Sequence, residues 1–333
     1  MHCGREANDL KQLFNRKRNP NKIKQGSYIA DFIFYVLALL ICLITLYPFY
    51  YVVIMSISSP MEVAAANVTL YPKGLYFGSY KFIVKDPNLW RAYLNTIIYV
   101  VSGTLLNCLA AVLGAYPLSV KNLAGRKWVV RYLIIPMYFS GGLIPSYLLI
   151  NKLGLYNTRW ALIIPGAVSI WNIILVRSYF LTIPESIKES AFIDGANHIQ
   201  TLFKIIVPIS KPILAVISIY TIVGIWNNFF TALVYLPNEK LHPLQMYLYR
   251  VVVQQTVDLK KMALEDTRRA VDLMLSNIQL KYSIIVFTTL PIIFTYPFFQ
   301  KYFIKGALLG SLKEAFWSSG SQSTYPIKKP VVA

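Results

Sequence analysis

The chain has 333 residues, 56% of them hydrophobic and only 14% charged, with a formal net charge of +19. A soluble domain carries about a quarter charged residues, so this composition excludes an ordinary soluble protein and points to one that crosses a membrane several times. The basic excess does not imply nucleic acid: Lys and Arg crowd the ends of apolar runs, as "RKRNPNKIK" does at 16–24, where they set orientation and meet anionic headgroups, and no soluble module remains to bind a nucleic acid.

Residues 1–27 form a polar, basic amino-terminal segment. The apolar run that follows, 28–57, has no small-residue cleavage site and exceeds the roughly 20 residues needed to span, so it reads as a retained first helix. Five further spans are expected at about 94–120, 129–150, 160–181, 209–236 and 282–304. Aromatic residues gather at several ends, such as Tyr47, Phe49, Tyr50 and Tyr51, as an interfacial belt requires.

Arg5, Lys11, Arg16, Lys17, Arg18, Lys22 and Lys24 precede the first span, and Lys121, Arg126 and Lys127 follow the second. Lys301, Lys305, Lys313, Lys328 and Lys329 follow the sixth, so with six spans these segments share one side and both termini are expected in the cytoplasm. Two sizeable loops, 58–93 and 237–281, then lie outside; within the second, "DLKKMALEDTRRAVDLMLSN" reads as one or two short amphipathic helices able to receive a partner. Pro117, Pro136, Pro165, Pro212 and several glycines interrupt the spans, which fits either ordinary kinking with close packing or a bundle that rearranges.

Cys3, Cys42 and Cys108 are scattered, as are His2, His198 and His242, which supports neither a disulfide framework nor a metal site. No Gly-x-x-x-x-Gly-Lys-Ser/Thr loop occurs, so the chain is not expected to hydrolyse ATP. The spans are nearly empty of acids and hold no catalytic constellation, so no catalytic residue is assigned.

Between the fourth and fifth spans lies "ESAFIDGANHIQTLFKIIVP", too polar to cross a bilayer. Ser186 and Glu189 have capping-box spacing after Pro184, Gly195 can turn the chain, and Asn197 with Gln200 repeats the cap pattern for a second short helix ending near Val207. An amphipathic helix–turn–helix on the cytoplasmic face results, which by itself could equally be a surface connector. The spacing of Glu189-Ser190-Ala191, Gly195, Ile205 and Val207-Pro208 resembles the EAA signature of ABC importer membrane subunits, with Ser190 and Val207 as mild departures. "LNT" at 94–96, "WNNF" at 226–229 and "KYFIKGALLGSLK" at 301–313 extend the resemblance to the maltose-type sugar permeases, in the oligosaccharide branch, over about 28–313.

That resemblance implies an all-α membrane protein, with six transmembrane helices in a type I ABC importer permease bundle and an EAA coupling loop at 185–208. Residues 314–333 would be a cytoplasmic tail outside the resemblance. The coupling loop would dock on a cytoplasmic ATPase through Glu189, Ser190, Ala191, Asp194, Gly195 and Ala196, supported by Phe203 and Pro208. The segment 306–313 would reach the ATPase interface or else be a frayed end. The implied partners are a second homologous permease, two copies of the ABC ATPase, an extracytoplasmic solute-binding lipoprotein, an oligosaccharide and membrane lipid. This chain would bind no cofactor or metal, ATP and Mg being used by the ATPase.

Transport needs polar groups inside the bundle, and the spans offer Asn95, Asn107, Trp171, Asn172, Arg177, Trp226, Asn227 and Asn228. Sugars favour amides and flat aromatic faces, so Trp226 with Asn227 and Asn228, then Asn107 and Trp171, are the candidate solute path; the alternative for any one Asn is a hydrogen bond between helices. A permease for another solute class and an ion-coupled transporter are the competing readings. The second normally keeps charged residues at mid-membrane.

Overall fold

The computed structural model describes residues 28–120, 123–254, 278–295 and 297. The expectations for 1–27, for the amphipathic stretch 258–277 and for the tail with its 306–313 segment lie outside the described residues. The described chain is helical, with no strand among the described residues, and divides after Ile54 into two units.

The first unit contains α1 (Tyr28–Ile57) as far as Ile54. The side chains from 31 to 50 are exposed, and Asp31 is the one charge in the helix. A helix apolar on every side is suited to lipid or to another apolar helix rather than to water.

In the second unit, α2 (Pro60–Ala64) and α3 (Gly78–Lys85) precede the longest helix, α4 (Pro87–Ser119). The Asp86 carboxylate accepts the Asn88 N–H at 2.9 Å and Pro87 occupies the first helical position, so the start is fixed by a cap and a preset φ. At 1.5 Å per residue α4 is about 50 Å long, so it outruns the roughly 30 Å hydrocarbon layer. Its first two turns, beyond the expected start at 94, carry Trp90 and Arg91, both exposed.

The next three spans are broken. α5 (Arg126–Tyr138) and α6 (Leu143–Lys152) meet at 110° across Phe139–Gly142, where Gly142 takes φ +84° and its N–H bonds to Ser140 Oγ. α7 (Trp160–Ala167) and α8 (Ile170–Phe180) differ by 41°, with Pro165 inside the first and Ser169 capping the second. α9 (Glu185–Ile193) leads to α10 (His198–Ile209), which turns 80° at Ser210 into α11 (Lys211–Trp226). α11 stops at Asn227–Phe229, before α12 (Phe230–Tyr235) and α13 (Leu244–Tyr249). The expected fifth span, 209–236, is thus two helices, and α14 (Ile278–Thr295) supplies the described part of the sixth. Three continuous helices and three bent pairs are long and apolar enough for up to six crossings.

α4 is the common neighbour. It packs on α7, α8, α11 and α13, and glycine permits two of the closest approaches: a Cβ on Gly103 would lie 2.6 Å from Ile225 Cδ1, and one on Gly114 would lie 3.2 Å from Ile173 Cδ1. One apolar cluster joins Ala111, Ala115 and Tyr116 of α4 to Val176 and Phe180 of α8, Leu202 and Ile206 of α10 and Ile217 of α11.

At the other end, the "LNT" segment acts as a staple. Asn95 Nδ2 donates to the carbonyls of Lys240 (2.8 Å) and His242 (3.2 Å), Tyr99 Oη to that of Leu241 (2.7 Å), and the Leu244 N–H donates to Thr96 Oγ1 (2.7 Å). The loop between α12 and α13 is thereby tied to the top of α4. His242 Nε2 lies 2.9 Å from the Leu236 carbonyl and therefore carries the proton, while its buried Nδ1 has no partner among the described residues. Burial holds the imidazole below its ordinary pKa, with Arg250 adding to the effect and Glu239 and the Leu236 bond opposing it.

Two outcomes are expected. Gly114→Leu destabilises the bundle by about 1–3 kcal/mol through overpacking against Ile173, whereas Gly166→Ala, with no atom within 4 Å of the new Cβ, is tolerated; thermal melts of the detergent-solubilised protein distinguish them. Because the folded His242 is harder to protonate than the unfolded one, its contribution is complete above about pH 6.5 and is lost as pH falls through the depressed folded value. The melting temperature should drop as pH falls below about 6.5, and His242→Gln should flatten that part of the profile.

Candidate functional site

The polar stretch folds as a rigid knuckle. The cap at its start differs from the expected box: α9 begins at Glu185 with Pro184 as N-cap and no side-chain bond to the cap. Pro184, with φ −54° and ψ 136°, takes the capping position itself, which leaves Ser186 and Glu189 inside the helix; Ser190 Oγ bonds back to the Ile187 carbonyl. The end of α9 is a full Schellman turn. The Ala196 N–H donates to the Ala191 carbonyl (2.9 Å), the Gly195 N–H donates to the Phe192 carbonyl (3.1 Å), and Gly195 sits at φ +80°.

α10 starts with the expected Asn197–Gln200 box. The Gln200 N–H reaches Asn197 Oδ1 at 2.8 Å, and the Asn197 N–H reaches Gln200 Oε1 at 2.9 Å. A π-helical turn over Thr201–Ile206 then aims Leu202 and Ile206 into the cluster shared with α4, α8 and α11. His198 packs edge-on to Phe192 at 4.9 Å between ring centroids, and its Nδ1 lies 3.4 Å from the Tyr116 hydroxyl. The knuckle is therefore seated on the end of α4.

What this leaves outward matters chemically. Ala191 is buried, but Glu189, Ser190, Asp194 and Gly195 are exposed, Ala196 is half-buried, and Pro208 is exposed. Ile193 is 85% exposed and Ile199 69%, with Phe192 and Phe203 also open. Four large apolar side chains thus crown a polar, capped turn, a surface suited to a protein partner.

A second site lies in an open groove where α4, α7, α8 and α11 meet. Asn107 Nδ2 donates to the carbonyls of Gly166 (3.1 Å) and Ala167 (3.4 Å), which the break between α7 and α8 has left without helical partners. Asn107 Oδ1 accepts from Asn172 Nδ2 (2.6 Å) and Thr221 Oγ1 (3.2 Å), so one amide joins α4, α7, α8 and α11. These groups line a cavity of about 330 Å³ with Ser169, Trp171, Tyr220, Gly224 and Ile225.

The structure brings Asn107 and Trp171 together but places Trp226, Asn227 and Asn228 elsewhere. Trp226 is buried in a second apolar cluster with Leu89, Ala92 and Leu244. Asn227 Nδ2 bonds to the Val223 carbonyl, and Asn228 Oδ1 accepts the Thr231 N–H, so the two amides close the break between α11 and α12. Tyr220, Thr221 and Ser169 were not singled out from the sequence; the signal was the spacing of Tyr220, Thr221 and Gly224, which puts hydroxyls and a gap on one stripe of α11. Arg177 Nε donates to the Leu118 carbonyl at 3.0 Å and so ties α8 to the end of α4.

Comparison with known proteins agrees with this architecture. Residues 103–308 match the family model "Binding-protein-dependent transport system inner membrane component". Protein LplC of Bacillus subtilis (strain 168) is 37% identical over 270 residues, covering 81% of this chain and 90% of LplC. The polygalacturonan/rhamnogalacturonan transport system permease protein YtcP of the same organism is 34% identical over 288 residues, 86% of this chain and 98% of YtcP. Among solved structures, a chain of a bacterial ABC transporter involved in the import of the acidic polysaccharide alginate superposes with a TM-score of 0.75 at 34% identity, covering 84% of this chain and 98% of that one. The chain described here belongs to the family of inner-membrane permease components of binding-protein-dependent transport systems.

Proposed function

We propose that this chain is one of two permease subunits in an ATP-driven importer of oligosaccharides, oriented with both termini in the cytoplasm. The observation that carries the coupling role is the knuckle: a turn capped at both helix ends, backed by the apolar cluster of α4, α8 and α11, and crowned by exposed Phe192, Ile193, Ile199 and Phe203. Such a turn transmits displacement of its seat to the spans instead of absorbing it. Two copies of a cytoplasmic ATPase supply that displacement with ATP and Mg, a second permease forms the other half of the pathway, and an external solute-binding protein delivers the solute.

ATP binding draws the knuckles together and opens the pathway outward; hydrolysis restores the inward-facing state. Support for a sugar comes from relatives named for polygalacturonan and rhamnogalacturonan, arabinooligosaccharides and trehalose/maltose, and from the alginate importer. The solute route passes the cavity at Asn107 and Trp171. Coupling to an ion gradient finds little support, since Asp31 is the one acid in the described spans.

The test is affinity purification of the tagged chain from cells that also express the neighbouring transport subunits. The unmodified chain should bring down a second permease and an ATPase. Ile193→Glu changes a side chain with almost no internal contacts, so it should retain the permease and lose the ATPase; a variant that keeps both removes the knuckle as the seat. Asn197→Ala removes the cap and should cost the knuckle about 1 kcal/mol, read as roughly fivefold faster amide exchange at Gln200, with weaker ATPase retention.

A further inference from the structure

The cavity beside Asn107 has a chemistry of its own. No residue lining it carries a charge. Its volume falls within the roughly 300–1,000 Å³ of small-molecule sites. Three polar groups on its wall have no protein partner among the described residues: Trp171 Nε1, the Tyr220 hydroxyl and Asn172 Oδ1. The Asn172 amide is held by its other atom, through Nδ2 to Asn107 Oδ1, so the free oxygen is presented in a fixed direction. Trp171 is 57% exposed and Tyr220 52% exposed, one on α8 and one on α11.

Asn107, Thr221 and Ser169 are satisfied within the protein, but the three unpartnered groups on the wall are poorly suited to lipid, because unsatisfied polar groups in hydrocarbon are costly; such groups face a water-filled space or another protein. Two aromatic residues with a donor each and one oriented acceptor match a pyranose ring, whose apolar face stacks on aromatics while its hydroxyls both donate and accept.

We propose that this cavity is a solute-contact site at which this subunit grips the uncharged ring and hydroxyls of a sugar through Trp171, Tyr220 and Asn172, without reading the sugar's charge. The proposal rests on the importer reading above. It assigns solute contact to this chain, and it places recognition of any carboxylate, such as those of an acidic oligosaccharide, outside this cavity.

The experiment uses the assembled transporter in proteoliposomes, with Cys3→Ser, Cys42→Ser and Cys108→Ala removing the native thiols and Trp171→Cys or Tyr220→Cys introduced singly. Recovery of the second permease and ATPase with the thiol-free parent tests the importer reading separately, and variants are compared only where both partners are retained. Labelling by a water-soluble thiosulfonate is measured with trigalacturonate, and with its fully methyl-esterified, uncharged form, each supplied with the binding protein. The expected result is labelling from water that either sugar slows about fivefold, as about 80% occupancy of the site gives when the sugar is supplied at about four times its Kd, with equal protection or better protection by the uncharged form. Labelling only by a lipid-soluble maleimide marks a lipid-facing surface. No labelling marks a face covered by the second permease. Labelling that neither sugar slows, or that only the charged form slows, removes the contact as proposed. Each of these four results overturns the inference.

Discussion

Everything in the bundle depends on the hydrogen bonds that α4 side chains make to carbonyls stranded where other helices break. In a bilayer a backbone group without a partner has no water to turn to, so a broken span survives only if protein supplies the missing bond. Asn107 does this for Gly166 and Ala167 at the end of α7, while Asn95 and Tyr99 tie the Lys240, Leu241 and His242 carbonyls of the loop after α12 to the other end of α4. At the opposite end the logic reverses, and Arg177 of α8 serves the Leu118 carbonyl of α4. A continuous helix of 33 residues thereby organises the interrupted helices α7, α8 and α11 around it.

The breaks leave the knuckle, the cavity and the loop between α12 and α13 on separate short pieces, each tied to the same mast. Leu202 and Ile206 share a cluster with Val176 and Ile217, while Thr221, one helical turn beyond Ile217 on α11, bonds to Asn107. A shift of α10 therefore bears directly on the helix that carries Tyr220 and Thr221 into the cavity wall. The 80° elbow at Ser210 makes that connection angular and short. Close-packed groups of this kind rearrange between discrete states and do not yield gradually, as alternating access requires.

Much of the knuckle was legible in the sequence because its determinants are local. Gly195 needs a positive φ, and Asn197 with Gln200 needs only three residues to make a capping box. The apolar runs likewise announced the spans. The breaks were less legible: Pro and Gly marked where they could fall, but a 110° bend at Gly142 and a 41° bend at Ser169 depend on what α4 offers nearby. The cavity was half visible for the same reason. Asn107 and Trp171 stand out as polar or aromatic residues in apolar runs, whereas the part played by Tyr220, Thr221 and Ser169 depends on helices meeting across 49 to 114 residues of chain. Trp226, Asn227 and Asn228 stand out equally in sequence, yet the two amides close a helix break and the indole fills the apolar cluster of Leu89 and Leu244, because short-range rules do not distinguish a capping amide from one lining a cavity.

The central claim is that motion made by ATP on one face of the membrane moves a sugar through this chain. It is tested most directly by uptake of a labelled oligosaccharide into proteoliposomes that hold the purified complex, with ATP inside and the solute-binding protein outside. The account predicts accumulation that needs both components and is indifferent to a protonophore or a sodium ionophore. Uptake that proceeds without internal ATP and collapses when the ion gradient is dissipated would contradict it.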